Sequence, residues 1–151
     1  MSSNPIINVQ RRVTAAGIPA PSSLRAWALA ALEGATPGEI TIRVVAEEES
    51  AKLNGKFRHK PYATNVLSFP YEAEALSEPV LGDLVICAPV VAREAKEQNK
   101  TVRAHWAHMV VHGCLHLQGH DHEKEAEASA MESLEIRILG KLGFKNPYLE
   151  Q

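Results

Sequence analysis

The sequence is poor in several features that would otherwise assign it to a class of protein. It has only two cysteines, Cys87 and Cys114, in 151 residues, which excludes a small secreted domain held together by disulfides. It has no run of eighteen apolar residues and no signal-peptide pattern at its N-terminus, so we expect a cytoplasmic protein with no membrane partner. The formal net charge is −2, so composition alone does not predict a nucleic-acid partner, and any RNA contact must depend on a local basic patch.

The length and the ordinary apolar content predict one folded domain spanning residues 1–151. Hydrophobic periodicity predicts strands at 6–9, 40–45, 64–70 and 81–87. It predicts a first helix that is capped by Ser22 or Ser23 and stops near Gly34, and a short second helix that Glu47, Glu48 and Glu49 open and that carries Leu53. Three further helices are predicted over about 89–98, over about 102–117, and from after His122 to about Leu142. We therefore expect an α+β fold in which a small mixed sheet packs against helices and a central helix carries metal ligands.

The segment from His112 to His122 contains the strongest functional signal. His112 and His116 are i and i+4 neighbours on the predicted helix, with Cβ atoms about 6 Å apart, so both imidazoles can reach one ion. Gly119 can adopt the left-handed conformation that ends a helix, and the resulting turn lets His122 supply a third nitrogen. The spacing His-x3-His-x5-His therefore predicts a metal site formed by His112, His116 and His122.

This spacing is that of the metzincin zinc proteases, with one important difference. Those proteases carry a glutamate directly after the first histidine, and that glutamate is the general base. Here the position is Gly113. The sequence therefore predicts the metal site without the protease base.

The roles of the neighbouring residues are less constrained. His120 alternates with His122 and is predicted to point away from the ion, and Cys114 faces the opposite side of the helix as a buried, reduced thiol. His108 precedes His112 by one turn and is a partner of the ligands, a proton carrier or a packed polar residue. Asp121 either accepts a hydrogen bond from a ligand imidazole or caps the next helix.

A second segment of interest precedes the predicted strand at 64–70. It holds the densest basic cluster in the chain, which we call the basic cluster: Lys52, Lys56, Arg58, His59 and Lys60. One interpretation is a solvated loop. The other is a phosphate-binding surface on which the planar guanidinium of Arg58 holds two oxygens at once.

Several stretches together resemble the YbeY family of bacterial endoribonucleases and ribosomal RNA maturation factors. The similarity runs from about Leu53 to Tyr148. It rests on His112 to His122, on Thr64 to Pro70 preceded by Arg58, on Leu81-Gly82-Asp83, and on Leu142-Gly143-Phe144 before Asn146-Pro147-Tyr148. His120 stands where that family usually has tyrosine.

The resemblance implies a zinc-dependent, single-strand-specific endoribonuclease, a hydrolase of RNA phosphodiester bonds. Its implied roles are maturation of ribosomal RNA, notably the 3′ end of 16S rRNA, and ribosome quality control. It implies one zinc ion per chain held by His112, His116 and His122, and a functionally important Arg58. The implied partners are single-stranded RNA, ribosomal RNA and the small ribosomal subunit, with no role for DNA.

These residues suggest a mechanism and leave two rival functions open. Three imidazoles on zinc leave a fourth position for water, whose pKa falls from 15.7 to about 7, while Arg58 neutralises charge on the phosphate. The attacking group is either water or the substrate's 2′-hydroxyl, and no carboxylate stands out as the base. The first rival is a metalloprotease with a base from elsewhere in the chain. The second is a non-catalytic, zinc-stabilised module that docks on the ribosome, with His120 as the nearest fourth ligand.

Overall fold

The computed structural model describes residues 5–13, 17–32, 38–70, 80–119 and 124–149. Within these ranges the chain forms four strands and five helices. The strands are β1 (Ile6–Arg11), β2 (Glu39–Val45), β3 (Val66–Pro70) and β4 (Val80–Cys87). The helices are α1 (Pro21–Ala31), α2 (Glu47–Arg58), α3 (Ala88–Glu97), α4 (Val102–Leu117) and α5 (Glu125–Lys141).

The four strands form one mixed sheet in the order β1-β2-β4-β3. β1 and β2 are parallel, with Ile7 opposite Ile40, and β2 and β4 are parallel, with Ile42 opposite Leu84. β3 runs antiparallel to β4. β3 is therefore an edge strand, and its final residue Pro70, which has no N–H to donate, suits that position.

Successive side chains of each strand point to opposite faces of the sheet, and each face belongs to a separate apolar cluster. Ile40, Ile42 and Leu84 belong to the larger cluster, which also includes buried residues of α1, α4 and α5. Leu67 and Val85 belong to the smaller cluster on the other face, against which Leu53 of α2 packs. The sheet thus lies between α4 on one side and α2 on the other, and the α+β prediction is confirmed.

The helix α4 is the most deeply buried helix of the fold. Eleven of its 16 residues are buried, and it contacts β3, β4, α1, α3 and α5. Thr101 caps its N-terminus by accepting a hydrogen bond from the Ala104 amide at 3.1 Å. A helix buried on nearly all sides is held rigidly, so the side chains on its remaining open face are well positioned.

Most predicted elements match the described ones, with two differences. The predicted serine cap of α1 is wrong, because Pro21 occupies the first turn and Ala20 is the N-cap residue, so the helix starts earlier. The helix α2 continues through Arg58, so most of the basic cluster is helical rather than a loop. Glu72, Glu74, Glu78 and Pro79, whose composition predicts a polar loop, lie outside the described residues.

The segment after α5 returns towards α4. Phe144 packs edge-to-face on Trp27 of α1 with ring centroids 5.7 Å apart, which fixes the start of this segment against the core. Tyr148 then lies beside His108, with ring centroids 5.4 Å apart. No helix among the described residues is both long and apolar enough to cross a membrane.

Candidate metal centre

His112 and His116 form the open pair of imidazoles on α4. Their ring centroids lie 4.7 Å apart with the ring planes at 72°, and both side chains are partly exposed. The helical spacing predicted from the sequence therefore brings these two residues together. Two imidazoles in this arrangement are the expected start of a metal site.

The chain turns directly after α4, as predicted. Gly119 has a φ of +94°, and its amide donates to the carbonyl of His116 at 3.0 Å. A residue with a Cβ adopts this conformation only with strain, which explains the glycine. The predicted third ligand His122, together with His120 and Asp121, lies outside the described residues, so its placement stays a prediction.

A buried carboxylate on α5 accepts three hydrogen bonds beside this pair. Glu135 is 1% exposed, and its Oε2 accepts from His108 Nε2 at 2.6 Å and from His112 Nδ1 at 3.2 Å. Its Oε1 accepts from the Tyr148 hydroxyl at 2.6 Å. We refer to Glu135, His108, His112 and Tyr148 as the Glu135 network.

The charges in the Glu135 network follow from these contacts. Burial alone raises the pKa of Glu135, but the hydrogen bonds from His108, His112 and Tyr148 outweigh burial and hold that pKa at about 2. Burial lowers the pKa of His108 more than Glu135 raises it, so this imidazole is neutral at pH 7. Burial and the carboxylate together raise the pKa of Tyr148. The network therefore contains an ionised Glu135 carboxylate that accepts hydrogen bonds from the groups around it.

The same residues can hold a metal ion. Donor atoms of His108, His112 and Glu135 lie within 4.8 Å of one another, and imidazole and carboxylate donors suit zinc. A cavity of about 150 Å³ adjoins them, lined in part by His112, Met131 and Glu135. Met131 belongs to the core, since it is 1% exposed.

The sequence interpretation missed Glu135 and Tyr148. Glu135 follows Met131 by four residues and precedes Leu139 by four, so it occupies a core position in the apolar stripe of α5. A carboxylate at such a position must be paired, because an unpaired buried charge is very costly. That irregularity in the apolar pattern was the available signal.

Gly113 and Cys114 face the interior of the protein rather than the imidazole pair. A Cβ on Gly113 would lie 2.7 Å from Leu84 Cδ2 and 3.3 Å from Val66 Cγ2, so the sheet leaves no room for a larger residue. Cys114 is fully buried and free of disulfides, as predicted, and burial raises the pKa of its thiol to about 12. The protease-type glutamate is therefore absent from a position that could not accommodate it.

Among the described residues, Arg58 does not contact the histidines of α4. It is the last residue of α2, is exposed, and lies on the helix that packs on the other face of the sheet from α4. His59 follows in a left-handed conformation with a φ of +59°, which ends the helix. Among the predicted site residues within the described ranges, the fold thus brings His112 and His116 together and leaves Arg58 at a distance.

Fold and site define a class of protein. It is a small α+β protein whose buried central helix presents clustered imidazoles, with a carboxylate alongside, that can hold a metal ion.

Comparison with known proteins is consistent with this class and narrows it. The family model described as Endoribonuclease YbeY matches residues 20–143. The Endoribonuclease YbeY of Nitrosococcus oceani is 55% identical over 146 residues, covering 94% of this chain and 95% of that protein. The Endoribonuclease YbeY of Methylococcus capsulatus is 57% identical over 145 residues, covering 95% of each. The chain belongs to the YbeY endoribonuclease family.

A solved structure supports the fold independently. The solution structure of a Thermotoga maritima protein superposes with a TM-score of 0.59 at 23% sequence identity, covering 91% of this chain and 92% of that one. At this level of identity the likeness shows the fold alone.

Proposed function

We propose that this chain is a single metallohydrolase domain that cleaves single-stranded RNA and acts in the maturation of ribosomal RNA. The observation that carries the proposal is the His112–His116 pair on α4 in a member of the YbeY endoribonuclease family. His112, His116 and His122 would hold one zinc ion, and zinc bound there supplies a Lewis acid for a phosphate oxygen. The proposed setting is the cytoplasm, with the small ribosomal subunit as partner and the 3′ end of its 16S rRNA as substrate.

The exposed end of α2 supports RNA as the substrate. Lys56, Arg58 and Lys60 are exposed there, alongside two exposed aromatic rings, Phe57 at 54% and Tyr62 at 58%. Cations that contact the backbone and aromatic rings that stack on bases are the usual combination in proteins that bind single strands. A protein with a net charge of −2 can bind RNA through such a local surface.

The end of strand β3 connects this surface with α4. The Phe57 ring packs edge-to-face on Phe69 with centroids 5.3 Å apart. The carbonyl of Phe69 lies against Gly82. Leu117, the residue directly after His116, lies on Gly82 as well, since a Cβ added to Gly82 would be 2.7 Å from one of its methyl groups. The C-terminal ends of α2 and α4 therefore both lie near the end of this edge strand. A strand of RNA lying across that edge would reach both, with Arg58 neutralising charge on a phosphate.

The test is cleavage of a labelled single-stranded RNA by the wild-type protein and by Arg58→Ala. We expect Arg58→Ala to lower the cleavage rate by about 100- to 1,000-fold, because it removes a charge placed to stabilise the transition state. Metal content and melting temperature should not change, since the Arg58 side chain forms no ion pair with another described residue. The same RNA annealed to its complement should resist cleavage by the wild type.

The control for this experiment is Arg11→Ala. Arg11 is also exposed, but it ends β1 at the opposite edge of the sheet, so its loss should leave cleavage unchanged. If Arg58→Ala cleaves RNA at the same rate as Arg11→Ala and the wild type, Arg58 has no role in the reaction. If Arg58→Ala unfolds the protein, its role is structural.

The metalloprotease alternative receives no support from the geometry around His112. The position that would carry the base is Gly113, which packs against Leu84 and Val66 of the sheet. We therefore retain the nuclease as the proposed function.

A further inference from the structure

The Glu135 carboxylate determines which ring nitrogen of His112 carries a proton. An ionised carboxylate only accepts hydrogen bonds, so every atom that contacts it at hydrogen-bond distance must carry a hydrogen. His112 contacts Glu135 Oε2 through Nδ1 at 3.2 Å. In a neutral imidazole one nitrogen carries the proton and the other has a free lone pair, so the lone pair of His112 lies on Nε2.

The remaining members of the network hold the carboxylate in place. His108 Nε2 donates to the same Oε2 at 2.6 Å, and the Tyr148 hydroxyl donates to Oε1 at 2.6 Å. With both oxygens occupied, the carboxylate has no freedom to rotate away from His112. Glu135 is also 1% exposed, so water does not compete for these bonds.

We infer that Glu135 is a positioning residue, which holds His112 as the tautomer protonated on Nδ1 so that Nε2 is available to the metal ion. This inference rests on the proposed metal site. It assigns roles to Glu135, His108 and Tyr148 that do not include metal ligation. It also explains why the chain returns across α4 after α5, since that path brings Tyr148 to the carboxylate.

The distance between His108 and Glu135 is that of a hydrogen bond rather than that of two ligands on one ion, which supports the positioning role. Two ligand atoms on one tetrahedral zinc ion lie about 3.3 Å apart, given bond lengths near 2.05 Å. His108 Nε2 and Glu135 Oε2 are 2.6 Å apart, which is the distance of a charge-assisted hydrogen bond. A nitrogen that donates such a bond has no lone pair to offer a metal, so His108 Nε2 is not a ligand while it donates to Glu135.

The first test compares Glu135→Gln with Glu127→Gln, an exposed position on the same helix, in the full-length chain. The glutamine amide keeps the shape of the side chain but removes its negative charge, so its oxygen is a weaker acceptor for the histidines. Zinc affinity should therefore fall about 10- to 100-fold, as measured by competition with a chromophoric chelator. Glu127→Gln makes the same change of charge away from the Glu135 network, so its zinc affinity should stay close to that of the wild type. Equal affinity in Glu135→Gln and the wild type would overturn the inference.

The second test does not depend on the folding of a variant. In the zinc-loaded wild type, ¹⁵N-resolved NMR of the His112 ring should detect a proton on Nδ1 and zinc on Nε2. A proton on Nε2 instead would overturn the inference. So would complete loss of zinc in a folded Glu135→Gln, to the same extent as in His116→Ala, because Glu135 would then be a ligand.

The experiments distinguish failure of the positioning role of Glu135 from failure of the proposed metal site. If His116→Ala retains zinc, the proposed metal site is wrong, whatever tautomer His112 adopts. If His116→Ala loses zinc while Glu135→Gln binds it normally, the site stands and the positioning role is wrong.

Discussion

Gly113, the residue that follows His112, stands where the zinc-protease pattern has a glutamate. Its missing Cβ lets α4 approach the sheet closely enough for Leu84 and Val66 to pack on the helix backbone. The glycine is thus required by packing, and the chemistry of the site must come from other residues. This reason for the glycine is visible only once the helix and sheet are in contact.

Gly113→Ala should therefore destabilise the protein. A methyl group 2.7 Å from Leu84 Cδ2 overpacks the core, and we expect the free energy of unfolding to fall by about 1–3 kcal/mol in chemical denaturation. Gly140→Ala on α5 is the matched control, because a Cβ there would meet no atom within 4 Å. That change should be neutral or stabilise by about 0.5–1 kcal/mol. Equal stability of Gly113→Ala and wild type would contradict the packing argument.

The individual residues of the site were predictable to different degrees. The i and i+4 spacing was sufficient to pair His112 with His116, because helix geometry alone determines that distance. The partner of His108 was not predictable, since Glu135 is 27 residues further along the chain. A contact of that kind depends on how two helices pack, which local periodicity does not determine.

At the scale of secondary structure, a second histidine–glutamate pair connects two helices. His105 at the start of α4 donates from Nε2 to Glu94 Oε1 of α3 at 2.8 Å, and Asn65 donates to the same carboxylate at 3.0 Å. The hydrogen bond from His105 lowers the pKa of Glu94 most, burial opposes it, and the bond from Asn65 lowers it further. The contact ties α3, α4 and the residue preceding β3 together.

The stability of the protein should depend on pH through Glu94. The pKa of Glu94 is lower in the folded state than in the unfolded state, so the unfolded state binds more protons in acid. The stabilisation from Glu94 is therefore complete above the unfolded-state pKa of about 4.3. It is lost as the pH falls through the folded-state pKa. Glu94→Gln should cost about 1–2 kcal/mol at pH 7, and the difference from wild type should shrink on acidification. Denaturation of metal-free protein at several pH values measures this without metal release.

The exposed Glu97→Gln on the same helix is the control for Glu94→Gln. It should leave both the stability at neutral pH and its pH dependence unchanged, because Glu97 is exposed near the end of α3. A constant difference between Glu94→Gln and wild type across the acid range would contradict the linkage.

The secondary structure itself was largely predictable from local pattern. Alternation identified β2, and the apolar stripe identified α5, to within a few residues. The end of α2 was not predicted, because Gly55 interrupts the helical pattern and Phe57 is the only apolar residue between Lys56 and Arg58. Its charges are instead favourably placed, with glutamates at the N-terminus and cations at the C-terminus.

For the molecule as a whole, the α+β class followed from the sequence but the strand order did not. Placing β4 between β2 and β3 depends on long-range pairing, which short-range periodicity does not encode. The helix α4, which carries the histidine pair, and α2, which carries most of the basic cluster, pack on opposite faces of this sheet. The proposed function depends on that arrangement, since RNA must reach both surfaces.

The central claim is that zinc bound at His112, His116 and His122 is required for RNA cleavage. The most direct test is the zinc content of purified wild type, His116→Ala and Arg11→Ala, each assayed on the same single-stranded RNA. Arg11→Ala is the control, because Arg11 is exposed at the edge of the sheet opposite β3. We predict about one zinc ion per chain with cleavage in wild type and Arg11→Ala, and neither in His116→Ala. Full zinc content in His116→Ala, or undiminished cleavage by metal-free wild type, would contradict the claim.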